Sequence, residues 1–82
     1  MDYFDQLRKL ISGQFSIPED TIEEDSLLDE DLSITDLDLE DLITQIQKKF
    51  DILIPAEEIP SFKKVSDIVA FLYNHAEGQQ QS

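Results

Sequence analysis

Apolar residues near the start of the chain fall at Tyr3, Leu7, Leu10, Ile11 and Phe15, steps that lay a single stripe along a helix. Asp2 precedes the stripe as the expected N-cap, and Pro18 disfavours helical geometry at Ile17, so the helix is predicted to stop there. A second stripe, Leu39, Leu42, Ile43, Ile46 and Phe50, predicts a helix that starts between Ser33 and Asp36 and closes near Phe50. Lys48 and Lys49 suit its negative end. Between the two helices runs a long connection with spaced anchors at Ile17, Ile22, Leu27, Leu28 and Leu32. Ile52, Leu53 and Ile54 meet Pro55 at once and have no partner strand, so they read as a buried connector. Residues 56–59 allow one short helical turn before Pro60. Ser66 is the expected cap of a last helix with Ile68, Val69, Leu72 and Tyr73 along its buried side. The pattern predicts an all-α bundle of three main helices plus one short helix. Its domain covers residues 1–76, and residues 77–82 form a flexible tail.

Charge sharpens this picture. The chain of 82 residues carries a formal charge of -13, and residues 19 to 41 hold twelve Asp or Glu without a Lys or Arg. All six basic residues stand elsewhere, at Arg8, Lys9, Lys48, Lys49, Lys63 and Lys64. Such a field repels phosphate backbones and anionic lipid and attracts basic protein surfaces, so nucleic acid is not an expected partner. With no cysteine there is neither a disulfide framework nor a thiolate metal site, and a monomeric cytoplasmic protein is expected. No apolar run approaches the roughly 20 residues that span a bilayer, so membrane insertion is not expected.

Several residues together carry a family resemblance. Asp31-Leu32, then Thr35-Asp36-Leu37-Asp38, then Leu42, then Phe50-Asp51-Ile52-Leu53-Ile54-Pro55 and Lys64-Val65 resemble an acyl carrier protein over about residues 2 to 75. In that family, the resemblance implies, a serine in an Asp-Ser-Leu motif at the start of the second helix receives 4′-phosphopantetheine. Here Asp36 takes its place. An aspartate oxygen could form only a mixed anhydride with the phosphate, which hydrolyses where a serine phosphodiester survives. No cofactor is therefore expected. As structure the exchange is mild, because Asp caps a helix about as well as Ser. The Asp25-Ser26-Leu27 triplet is a decoy, ten residues too early. Thr35 and Ser33 are the candidate rescue hydroxyls, and the alternative is a working carrier with a displaced 4′-phosphopantetheine site on one of them. Ser33 also reads as the N-cap of a Ser-x-x-Asp capping box with Asp36.

Glu40 and Thr44 stand where the family usually shows apolar residues facing the acyl pocket or partner, and Gln47-Lys48-Lys49 replaces a commonly acidic stretch. The expected role is contact with a protein bearing a basic docking surface, such as a carrier-dependent enzyme of fatty-acid, polyketide or related biosynthesis. The contact residues expected are Asp36, Leu37, Asp38, Glu40, Asp41, Ile54 and Glu57. Leu42, Ile46, Phe50, Ile54, Phe62, Ile68 and Leu72 would line an acyl pocket or form ordinary bundle core.

Two other functions are weighed on the residues alone. Asp29, Asp31, Ser33, Thr35, Leu37 and Glu40 match the ligand spacing of a calcium-binding EF-hand, but Ile34 occupies the position that needs glycine, so no specific metal site is expected. Catalysis is not expected either. The lone histidine, His75, sits near the end of the last helix, and nothing in the chain pairs a nucleophile with an oriented base.

Overall fold

The computed structural model describes the backbone of residues 2–80 and the side chains of residues 2–75. Three α-helices form the bundle: α1 is Tyr3–Phe15, α2 is Asp36–Phe50 and α3 is Val65–Gln80. A 3-10 turn, Glu19–Thr21, interrupts the first connection, and a longer 3-10 helix, Ala56–Ser61, forms the short helix between α2 and α3. The short helix continues past the expected end at residue 59, with Pro60 inside it. Backbone of the expected tail continues α3 to Gln80, and Gln81 and Ser82 lie outside the described residues.

Each end of α1 has a local cause. Asp5 donates its backbone N–H to the Asp2 carboxylate at 3.0 Å, the expected cap. The Asp5 carboxylate in turn accepts a 2.6 Å hydrogen bond from Arg8, which, with Lys9 at 3.3 Å, holds its pKa below the ordinary aspartate value. At the other end Ser16 turns left-handed, with φ of 58°, one residue before the position restricted by Pro18. Tyr3, Leu7 and Ile11 are buried, with Leu10 and Phe15 packed at the margin. From α2 the core takes Leu39, Leu42, Ile43 and Ile46, and from α3 it takes Val65, Ile68, Val69, Phe71 and Leu72.

Tyr73 is a correction: it is 46% exposed, its ring edge-on to Tyr3 at 4.8 Å. Leu53 is another. Ile52 and Ile54 are buried as expected, but Leu53 between them is 82% exposed.

The connection between α1 and α2 is fastened to the start of α3. Ile22, Leu28, Leu32 and Ile34 are buried, while Ile17 and Leu27 are half-buried. Leu28 donates its N–H to the Lys63 carbonyl at 2.9 Å, and the carbonyls of Ser26 and Glu24 accept from Val65 and Ser66 at 3.1 and 2.8 Å. First-turn N–H groups of a helix have no partner within it, so these carbonyls satisfy two such donors. Ser66 is therefore not the cap. Helix α3 begins one residue earlier, and the Asp67 carboxylate reaches back to accept from the N–H groups of Lys63 and Lys64, both at 2.9 Å.

Ser33 is also left-handed, with φ of 58°. This geometry costs a non-glycine residue about 1–2 kcal/mol, partly offset because serine has less unfolded-state freedom than glycine. Ser33→Gly is expected to raise the urea midpoint, by an equivalent of roughly 0.5–1 kcal/mol. A lowered midpoint would mean that the Ser33 side chain stabilises this turn.

Candidate functional site

The first turn of α2 is built on Thr35. Its hydroxyl accepts from the Asp38 N–H at 3.2 Å, and the Asp38 carboxylate accepts from the Thr35 N–H at 3.2 Å. This reciprocal pair is the capping box, so the box expected between Ser33 and Asp36 is corrected to one two residues further on. The left-handed backbone at Ser33 cannot serve as a cap, and it swings Ile34 into the core and Thr35 to the helix mouth. Thr35→Ala is expected to lower stability by about 1 kcal/mol, read as a shift in the denaturation midpoint. No shift would show that Asp38 closes the turn alone.

Asp36 is the first residue of α2 and not its cap. Asp36, Glu40 and Asp41 are exposed, Asp38 is half-buried, and Leu37 stands 75% exposed among them. Carboxylates at this end of a helix meet its positive dipole end favourably. Asp36 thus fits as a structural element even though it offers no hydroxyl.

Ser26, the decoy serine, is only 8% exposed, and its hydroxyl accepts from the Glu23 N–H at 2.9 Å.

Beside α2 opens a cleft of about 750 Å³, bounded by the 3-10 helix Ala56–Ser61 and by the first connection. Its apolar lining includes Ile34, Leu39, Ile43, Ile54 and Phe62. Along α2 the wall is polar: Asp36, Glu40, Thr44 and Gln47 follow one another at four, four and three residues, one face of the helix. Gln47 fastens that wall by accepting from the Ile54 N–H at 2.8 Å, and the Thr44 hydroxyl donates to the Glu40 carbonyl at 3.1 Å.

Of the seven residues expected to line an acyl pocket or form core, Ile54 and Phe62 line the cleft. Leu42, Ile46, Ile68 and Leu72 have no exposed surface and form the core, while Phe50 is half-buried with its ring edge-on to Tyr3 at 5.6 Å. Leu39 and Ile43 were legible as part of the buried α2 stripe, but that these two also border a cleft was not. Among the expected contact residues, Asp36, Glu40 and Ile54 line the cleft; Leu37, Asp41 and Glu57 are exposed outside its lining. His75 stacks on Phe71, ring centroids 3.9 Å apart.

The EF-hand spacing does not form a loop, since Asp36–Glu40 is already the first turn of α2. Among the described residues no three His, Cys, Asp or Glu side chains are grouped to hold a metal ion. No helix among them is long and apolar enough to cross a membrane.

Comparison with known proteins decides the family. A family model described as "Phosphopantetheine attachment site" matches residues 5–72. The chain belongs to the acyl carrier protein family. It is 34% identical over 74 residues to the acyl carrier protein of Clostridium perfringens (strain 13 / Type A), covering 90% of this chain and 97% of that protein. The acyl carrier protein of Campylobacter lari is 32% identical over 74 residues, covering 90% and 96%. That of Helicobacter hepaticus is 33% identical over 72 residues, covering 88% and 95%. The acyl carrier likeness therefore extends across the bundle, from α1 into α3.

Proposed function

We propose that this acyl-carrier domain does not carry 4′-phosphopantetheine and acts through protein contact, in or beside a carrier-dependent pathway such as fatty-acid or polyketide biosynthesis. The observation that carries this reading is Asp36, a carboxylate at the first residue of α2, where the register of the Asp-Ser-Leu motif expects the attachment serine. The residues present do not fit the prosthetic group. Attack by a carboxylate oxygen on the coenzyme A pyrophosphate would form an anhydride and release the nucleotide, leaving a linkage that water cleaves. Thr35 has a hydroxyl, but it is held in the capping box, and Ser33 lies on a left-handed turn outside the helix.

What remains is a charged face. Asp36, Asp38, Glu40 and Asp41, with Leu37 among them, present negative charge and one apolar side chain to a basic partner surface, with Glu57 on the short helix and Ile54 in the cleft lining as further contacts. Binding of this kind weakens as salt is added. Catalysis forms no part of the proposal; His75 stacks on Phe71. The deciding test is the intact mass after incubation with coenzyme A and a broadly tolerant phosphopantetheinyl transferase. An unchanged mass supports the reading, and a gained arm refutes it.

A further inference from the structure

The cleft beside α2 combines an apolar lining with a carboxylate margin. Ile34, Leu39, Ile43, Ile54 and Phe62 supply the first, and Asp29, Asp36 and Glu40 supply the second. Lys63 is the one cation in its lining, and between Leu10 and Gln47 the chain contains no Lys or Arg at all. The volume, about 750 Å³, exceeds that of a large side chain. A free fatty acid suits this lining poorly, because its carboxylate would meet Asp36 and Glu40. An apolar group that arrives with positive charge meets no such repulsion.

We propose that the cleft receives an apolar side chain from a basic partner segment, flanked by lysine or arginine residues that pair with Asp36 and Glu40. This rests on the protein-contact reading above and adds the site and the chemistry of its occupant. The carboxylates sit on one face of α2, at the edge of the apolar lining. Asp36 and Glu40 are one turn apart, with Thr44 one turn beyond, so a partner helix lying along α2 can meet the carboxylates and insert its apolar residue in the same pose. Burying the anchor would supply most of the affinity. The charges would supply orientation and encounter rate.

Two synthetic amphipathic peptides of the same lysine-rich composition test this, one with a central phenylalanine and one with glutamine in its place. Each is titrated into the full chain while the methyl resonances of Ile34, Ile43 and Ile54 are followed. The phenylalanine peptide is expected to bind about tenfold more tightly and to move those methyls. Thr44→Phe, at an exposed position in the cleft wall, should weaken the phenylalanine peptide more than the glutamine peptide and so remove that advantage. Glu40→Lys should weaken both peptides. Equal affinities with unmoved cleft methyls would overturn the cleft proposal and leave acidic-face docking intact. Failure of both peptides to bind even at low salt would overturn the electrostatic reading itself. Concentration-dependent self-association that moves the same methyls without peptide would assign the cleft to a second copy and also overturn the proposal.

Discussion

The unaltered chain is expected to show no mass gain with coenzyme A and a tolerant transferase, while the Asp36→Ser variant gains one phosphopantetheine arm. The difference is one atom's chemistry. Serine at position 36 would offer an alkoxide precursor whose phosphodiester persists, whereas the carboxylate offers an anhydride that does not. Asp36 opens α2 as its first residue, while Thr35 supplies the cap, so the variant leaves the capping box between Thr35 and Asp38 untouched. The scaffold presented to the transferase is then the same in both proteins. Asp36→Asn separates charge from nucleophile. It removes the repulsion of the pyrophosphate but supplies no hydroxyl, and it too should remain unmodified. Thr35 is the remaining competitor, exposed and one residue away. If the unaltered chain gains the arm and Thr35→Ala abolishes the gain, the attachment hydroxyl has moved one position and the protein is a working carrier.

Leu42→Ala is expected to destabilise the bundle by about 3 kcal/mol, within the range measured for buried leucine truncations. Leu42 has no exposed surface and lies at the centre of the α2 stripe. For a domain of 82 residues, at roughly 0.05–0.15 kcal/mol per residue, that is a quarter or more of the total stability. The melting temperature should fall by about 10 °C or more. Leu37→Ala, only five positions earlier and 75% exposed, should change stability by less than about 0.5 kcal/mol. A comparable loss at both positions, measured by urea denaturation, would mean that Leu37 packs onto the bundle in solution. If Leu37→Ala keeps its stability but loses partner affinity, the exposed leucine is a contact residue.

The helices were legible because their signals are local. A stripe at helical spacing with polar residues on the other side has few alternatives, and Asp2 before the first stripe fixed one boundary by its own hydrogen bond. The start of α2 fell inside the expected range, but its cap was misplaced for a related reason. Ser33 and Thr35 both stand three residues before an aspartate, so two capping boxes satisfy the same spacing. The choice fell to the turn that buries Ile34, which makes Ser33 left-handed and hands the cap to Thr35. Ser66 was misread in the same way. Its helix receives its first-turn acceptors from Glu24 and Ser26, forty residues upstream, and no local pattern announces such a contact.

By itself the sequence determined the helical architecture, the polarised charge, the carrier-family likeness and the presence of aspartate at position 36. Each depends on residue identity or on spacing within one turn or one helix. Tertiary structure alone decided that, of the buried α2 stripe, Leu39 and Ile43 also border a cleft while Leu42 and Ile46 do not, and that Ser26 is shielded while Leu53 is exposed. Those outcomes depend on where the short helix stands beside α2 and on the hydrogen bonds that dock the first connection against Lys63 and Val65. A periodic stripe shows that a face is apolar. Which neighbour covers each part of it is set by contacts between segments distant in the chain.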